Sequence, residues 1–238
     1  MQQLAGKIAV VTGGGRGIGV AIARQLAAVG CAVTITGRDP QTLERAVAQF
    51  RSEGFALEAQ RSDVGNESEV ENLFSSIKNQ FGKLDYLINN AGTAHALASV
   101  DRLSAEEFRR VVDTNLTGTF LCTRAAIPLM GAGAVIVNNL SVAATQVFAG
   151  MSAYCAAKAG ALALTNTLRE ELREKGIRVL ALIPGAVDTE IWNQFWPEAP
   201  REKMISAKDV ARAVVLALTM PASTAVDEIR MGPAAGTL

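Results

Sequence analysis

Tyr154 and Lys158 stand four residues apart in Tyr154-Cys155-Ala156-Ala157-Lys158, a stretch otherwise made of small residues. On a helix that spacing puts a phenol and an ammonium on one face. A phenol titrates near 10 in water, which is too high for a good base at neutral pH. An ammonium at close range contributes about 4 kcal/mol at an effective dielectric of 20, enough to lower the phenol by as much as about three pKa units. The pair is therefore equipped for proton transfer. It is equally what a half-buried Tyr beside a snorkelling Lys looks like on an ordinary amphipathic helix, so its company matters. Ser141 follows the strand-like run 134–139 at its C-terminal side, where doubly wound sheets place their active crevice. Asn115, between Thr114 and Thr117, lies inside the helical stretch 104–130. Asn is a poor mid-helix residue because its amide competes for backbone hydrogen bonds. Such a local conflict is expected where function overrides propensity.

A second group is suited to phosphate. Thr12-Gly13-Gly14-Gly15-Arg16-Gly17-Ile18-Gly19 follows an apolar run and opens a helix in which Ile18, Ile22, Leu26 and Val29 share a face. Glycines there let the backbone turn tightly and approach a pyrophosphate seated on the helix N-terminus. The spacing is TGxxxGxG rather than GxGxxG. At the end of the next apolar run an Asp or Glu would bind the 2′-hydroxyl of NAD and repel the 2′-phosphate of NADP. That position holds Gly37, followed by Arg38, whose planar cation suits a phosphate and which Arg16 would join. These residues point to NADP(H). Asp39 has two available roles, binding the ribose or capping the next helix.

The elements that must position these groups alternate along the chain. Strand patterns occupy residues 7–12, 32–36, 56–60, 84–89, 134–139, 177–183 and 224–231, most of them nearly continuous in apolar residues. Parallel strands covered by helices on both faces look this way. The clearest helical period between them is 66–81, where Val70, Leu73, Phe74, Ile77 and Phe81 recur on one face. Gly30, Gly54, Gly82, Gly133 and Gly176 each stand after a helical pattern and before a strand, where a left-handed cap is wanted. Asp39-Pro40 places an N-cap before a proline at the first helical position. Right-handed β-α-β units then predict an α/β, Rossmann-type doubly wound sheet of about seven mainly parallel strands with helices on both faces. Residues 1–238 read as one domain, with an irregular segment at about 189–205, rich in aromatics and proline, available to cover a substrate.

Bulk composition narrows the function classes. Hydrophobic residues make up 49% and charged residues 19%, with 23 basic and 23 acidic side chains. A neutral chain without a basic tail has no long-range field for nucleic acid. Cys31, Cys122 and Cys155 are scattered and show no CxxC spacing, which suits a reducing compartment and matches no common zinc pattern. No metal site is expected. The N-terminus runs straight into a strand pattern without a basic region and apolar core, and no apolar run reaches membrane-spanning length. The expectation is a cytoplasmic protein with no membrane partner.

Taken together, the residues resemble the short-chain dehydrogenase/reductase family in its single-domain branch, across nearly the whole chain. The resemblance rests on TGxxxGxG, Asp63-Val64 after the third strand and Asn89-Asn90-Ala91-Gly92 after the fourth. It continues through Asn115, Ser141, Tyr154 with Lys158, and Pro184-Gly185-Ala186-Val187-Asp188-Thr189. It implies that Tyr154 is the acid/base, that Lys158 holds the nicotinamide ribose and lowers the phenol pKa, and that Ser141 bonds the carbonyl oxygen. Asn115 would bind a water linking Lys158 to solvent. On the cofactor side it implies contacts from Gly13, Arg16, Gly17, Ile18, Gly19 and Arg38. Asp63 and Val64 would meet adenine, Asn90, Ala91 and Gly92 the nucleotide, and Val187 and Thr189 the carboxamide, with Pro184 and Gly185 also at the cofactor. The activity implied is NADP(H)-dependent interconversion of a carbonyl and an alcohol in a small-molecule substrate. A homo-oligomer, tetramer or dimer, is implied through 104–130 and 153–175. Two departures stand out: the stretch after Thr189 is short, and the last strand, ending Met231-Gly232-Pro233, lacks the Asp-Gly-Gly of many relatives. The C-terminal contribution to the pocket is therefore open.

Two alternatives keep a place. One is the same chemistry with NAD toward alcohol oxidation, against which Gly37 and Arg38 argue. The other is a catalytically silent nucleotide-binding regulator, for which the loss of Ser141, Tyr154 or Lys158 would be expected. His95, the only histidine, reads as a solvated loop residue, and Cys155 as packing. Phe148, Met151, Trp192, Phe195 and Trp196 are available as an apolar substrate wall or as packing.

Overall fold

The computed structural model describes residues 4–236. All seven expected strands form: β1 (Ile8–Thr12), β2 (Ala32–Gly37), β3 (Glu58–Arg61), β4 (Tyr86–Asn89), β5 (Val135–Asn139), β6 (Arg178–Pro184) and β7 (Glu228–Met231). They make one sheet in the order β3-β2-β1-β4-β5-β6-β7, and every pairing is parallel. The helices are α1 (Gly17–Ala28), α2 (Pro40–Ser52), α3 (Glu67–Phe81), α4 (Ala105–Val112), α5 (Gly118–Ala126), α6 (Ser152–Glu171) and α7 (Ala207–Leu218).

Strand residues alternate between two cores, which is why the central runs are apolar without a break. Ala9, Val11, Val33 and Ile35 pack with α1, α2 and α7 on one face. Ile8, Val10, Leu87, Ile136 and Val179 pack with α3, α5 and α6 on the other. The two edge strands β3 and β7 carry charged residues instead, as unpaired edges require.

Local signals behave as their chemistry dictates. Asp39 caps α2, accepting from the amides of Gln41 at 3.1 Å and Thr42 at 3.2 Å, with Pro40 at the first helical position. All five glycines expected to close helical patterns adopt positive φ. At Gly82 the left-handed residue ends α3 and returns its amide to the Lys78 carbonyl.

One expectation needs correction. Residues 104–130 are not one continuous helix: α4 passes through a π-helical turn, Asp113–Thr117, into α5, which ends in a 3₁₀ turn, Ile127–Leu129. The conflict seen at Asn115 is resolved by this wider turn. The Asn115 amide donates to the carbonyls of Val111 and Thr93, both at 2.8 Å, so the helix yields locally to a side chain that bonds across to a loop. Among the described residues no helix is long and apolar enough to cross a membrane.

Candidate active site

A cleft of about 960 Å³ runs along the C-terminal ends of the strands, across the β1/β4 boundary where the strand order reverses. Of the sequence-predicted site residues, all but Gly19 and Asn115 line it.

On the β1–β3 side the glycine turn is packed against the loop after β4. Gly13 has φ 61°, and a Cβ there would stand 2.8 Å from the Ala91 Cα. Gly19, behind the turn, has no room at all: a Cβ would fall 2.3 Å from the Gly13 carbonyl oxygen and 2.4 Å from the Asn90 amide nitrogen. Asn90 lines the cleft, yet its side chain is spent on structure. Its Nδ2 donates to the carbonyls of Thr12 (3.0 Å) and Gly13 (3.1 Å), and its Oδ1 accepts from Asn139 at 2.8 Å. The Thr12 hydroxyl accepts from the amides of Asn90 (2.9 Å) and Ala91 (3.0 Å). No side chain caps the N-terminus of α1, and no acidic residue sits in its first turn, so its amides and partial positive charge face the cleft.

Where β2 ends, Gly37 leaves space: a Cβ would meet only Leu43, at 3.6 Å. Arg38 is half exposed, with its guanidinium 3.9 Å from the Asp63 carboxylate. A contact that long and that exposed holds the guanidinium weakly, leaving it available to a phosphate. Asp39 takes the capping role of the two open to it, and the Thr42 hydroxyl, ahead of the Gln41 and Thr42 amides, holds its carboxyl below the usual range. Buried Ser62 also lines this end; nothing in its sequence context marked it.

On the far side of the boundary Ser141, Tyr154 and Lys158 converge. Ser141 is extended beyond β5, and its Oγ accepts from the Ala143 amide at 3.2 Å. Tyr154 and Lys158 occupy the first turns of α6, with the Lys158 Nζ 5.6 Å from the centre of the phenol ring. Lys158 is buried, and its Nζ donates to the Asn139 carbonyl at 2.8 Å. Asn139 was missed in the sequence, where it reads as the last residue of a strand. The Asn115 Oδ1 is buried without a partner. It stands 3.0 Å from where a Cβ on Gly92 would lie, and Lys158 Nζ 3.8 Å from that same point. Asn115 therefore sits behind Lys158 rather than on the cleft wall.

Desolvation dominates the electrostatics of the pair. The phenol of Tyr154 is pushed up to about 12 by burial, with the Ser141 hydroxyl pulling the other way. Burial also brings the Lys158 ammonium from 10.5 down to about 8. Lys158 is buried and Tyr154 half-buried, and for each of them loss of water is the largest cause of the shift.

The substrate end is built from four distant stretches. Phe148, Met151, Trp192, Phe195 and Trp196 all line the cleft. The segment after Thr189 forms the 3₁₀ turns Glu190–Gln194 and Arg201–Lys203. It is tied down by Trp192 Nε1 to the Val187 carbonyl (2.8 Å) and by Arg201 to the Asn193 side chain (2.7 Å). Gln194 Oε1 accepts from the Ala94 amide (2.9 Å) and the Thr93 hydroxyl (3.1 Å). β7 contributes as well: Arg230 and Met231 reach the cleft, as does Gly232 just beyond it. His95 is not solvated as its loop position implied. It is 1% exposed, its Nδ1 is 2.8 Å from the Ala96 carbonyl, and its Nε2 is buried without a partner.

The model of the short chain dehydrogenase family matches residues 7–200. An uncharacterized oxidoreductase of Staphylococcus aureus (strain MW2) is 34% identical over 235 residues, 98% of this chain and all of that protein. A short chain dehydrogenase from Burkholderia cenocepacia J2315 in complex with NADP superposes with a TM-score of 0.87 at 33% identity, over 96% of this chain and 97% of that one. An alcohol dehydrogenase from the archaeon Thermococcus sibiricus complexed with 5-hydroxy-NADP superposes at 0.88 with 28% identity, over 98% of each chain. With that match in sequence and in fold, and with the glycine turn and the Tyr154–Lys158 pair opening into one cleft, the chain is an oxidoreductase of the short-chain dehydrogenase/reductase family.

Proposed function

We propose that this protein interconverts a carbonyl compound and its alcohol with NADP(H), using Tyr154 as acid/base. The observation that carries the reading is the single cleft that joins the glycine turn and Arg38 to Ser141, Tyr154 and Lys158. The residues present fit a dinucleotide phosphate. The glycine turn brings backbone close to the cleft, α1 presents an uncapped N-terminus, and β2 ends in Gly37 and a half-exposed Arg38 with no acidic side chain at Gly37. Two structurally similar proteins are described with NADP or 5-hydroxy-NADP, which supports the same choice here. When bound, the nicotinamide supplies or accepts the hydride.

The chain's own side chains handle the oxygen and its proton. The Ser141 hydroxyl donates to the substrate oxygen as charge develops there. Tyr154 delivers its phenolic proton to that oxygen in reduction and removes it in oxidation. A phenol pushed up to about 12 keeps its proton at neutral pH, so Tyr154 holds the proton that reduction consumes. Lys158 uses one N–H on Asn139 and has two left for the hydroxyls of a ribose. The unpartnered Asn115 Oδ1 behind it would accept from a water that replenishes the proton. The homo-oligomer implied by the resemblance would cover Phe108 and Phe120, which are 41% and 44% exposed on α4 and α5.

The test follows reduced-nicotinamide absorbance with NADPH and with NADH over a panel of ketones, aldehydes and 3-oxoacyl thioesters. Tyr154→Phe should lose about 10²–10⁴-fold in kcat while retaining NADPH affinity. Full activity in that variant overturns the role of Tyr154. Equal or better rates with NADH overturn the role of Arg38.

A further inference from the structure

Beyond the class of reaction, the cleft has a composition of its own at the end that meets the carbonyl. Trp192, Phe195 and Trp196 project from one 3₁₀ turn and its exit, with Trp192 centred 4.9 Å from Phe195 and 6.1 Å from Trp196. The only polar atom of the Trp192 ring, Nε1, is consumed by the Val187 carbonyl, so the ring offers the cleft only its apolar surface. Phe148 and Met151, on the turn that enters α6, give the same cleft a second apolar wall. The two walls are held in register by bonds to the loop after β4. Gln194 reaches Thr93 and Ala94 from one side, and Ala98 pairs with Gly150 and Met151 from the other. Phe148 and Trp196 remain 37% and 39% exposed. Large apolar side chains left open in a groove mark a surface whose contacts are completed by something else.

The same end offers no free charge to an anion. Among the described residues its one cation besides Lys158 is Arg230, whose Nε lies 3.2 Å from the Glu228 carboxylate and whose Nη1 bonds the Thr145 hydroxyl at 3.3 Å. Lys158 is buried, with one N–H on Asn139 and, in the reading above, the other two reserved for the ribose. Glu190, which also lines the cleft, would repel a second carboxylate. A small aliphatic carbonyl would leave the aromatic faces wet, whereas a flat ring would pack edge-to-face or offset against them.

On the carbonyl chemistry proposed above, the structure assigns to this cleft a neutral ketone or aldehyde that carries an aromatic ring beside the carbonyl. The ring lies between Trp192/Trp196 and Phe148/Met151, with the oxygen at Ser141 and Tyr154.

Both tryptophans of the chain are in this wall, so intrinsic fluorescence reads ring binding without any turnover. Acetophenone, acetone and phenylglyoxylate would be titrated into the protein alone and with saturating NADP⁺, with absorbance correction, and then offered as substrates with NADPH. Acetophenone should change the tryptophan emission saturably, and its kcat/KM should exceed those of acetone and phenylglyoxylate by at least about tenfold. Phe148→Ala and Trp196→Ala should each raise the acetophenone KM about tenfold and leave the NADPH Kd unchanged. Saturable emission changes without turnover of any carbonyl would keep the ring site and remove the reaction assigned to it. Turnover of acetone or phenylglyoxylate at rates equal to or above acetophenone would overturn the ring site and keep the carbonyl chemistry. Absence of any emission change with acetophenone would also overturn the ring site.

Discussion

Lys158→Met isolates the cost of holding a protonated amine inside this fold. Lys158 is 4% exposed, and its Nζ has one protein partner, the Asn139 carbonyl at 2.8 Å. Burial brings its pKa from 10.5 to about 8, so keeping the proton at neutral pH costs the native state about 3 kcal/mol. The sign follows from which state holds the proton. Between about pH 8 and 10.5 the unfolded chain binds it more tightly than the folded one, so native stability rises with pH through that window. Below about pH 8 the cost is fully present. Methionine matches the length of the side chain and removes the titration, but it strands the Asn139 carbonyl, at about 1–3 kcal/mol. At pH 7 the variant should therefore equal or exceed the wild type by up to about 2 kcal/mol. By pH 10 the wild type recovers most of that cost and the order reverses. Urea unfolding at fixed protein concentration, at pH 7 and pH 10, measures this. The other tyrosine and cysteine titrations are common to both proteins and cancel in the difference. A stability difference between the two proteins that is constant from pH 7 to pH 10 would refute the argument. Loss of activity in the stabler protein would be the stability cost of function made visible.

Two further perturbations test the nucleotide end. Gly37→Asp adds a carboxylate where only Leu43 lies nearby, at 3.6 Å, so the fold should hold. The NADPH-to-NADH ratio of kcat/KM should fall by about tenfold or more, because the new group repels a 2′-phosphate and accepts from a ribose hydroxyl; an unchanged ratio would place the 2′ position elsewhere. Gly19→Ala drives a methyl into the Gly13 carbonyl and the Asn90 amide. It should cost about 1–3 kcal/mol of stability and weaken NADPH binding in a fluorescence titration. Gly131→Ala, with nothing within 4 Å, serves as the neutral control, and equal behaviour of the two variants would mean that the glycine turn tolerates displacement.

Much of this protein is decided locally, and those parts were legible in the sequence. Strands buried on both faces are mostly apolar along their length, so β1, β4, β5 and β6 announce themselves. Asp39-Pro40 starts α2 because a side chain two residues from its target amides needs no help from the rest of the fold. The glycine turn and the Tyr154–Lys158 spacing are likewise properties of single segments. What the sequence could not decide depends on groups far apart along the chain. The π-helical turn at Asn115 exists because its amide reaches Thr93, 22 residues away. His95 is buried by neighbours that its own loop does not reveal. Arg230 and Gln194 enter the cleft only because β7 lies beside β6 and the segment after Thr189 folds back on the loop after β4. Burial also set the direction of the Tyr154 and Lys158 shifts. The spacing of two ionisable groups fixes their Coulomb interaction, but how much water surrounds them is a property of the assembled fold, and here desolvation is the larger effect.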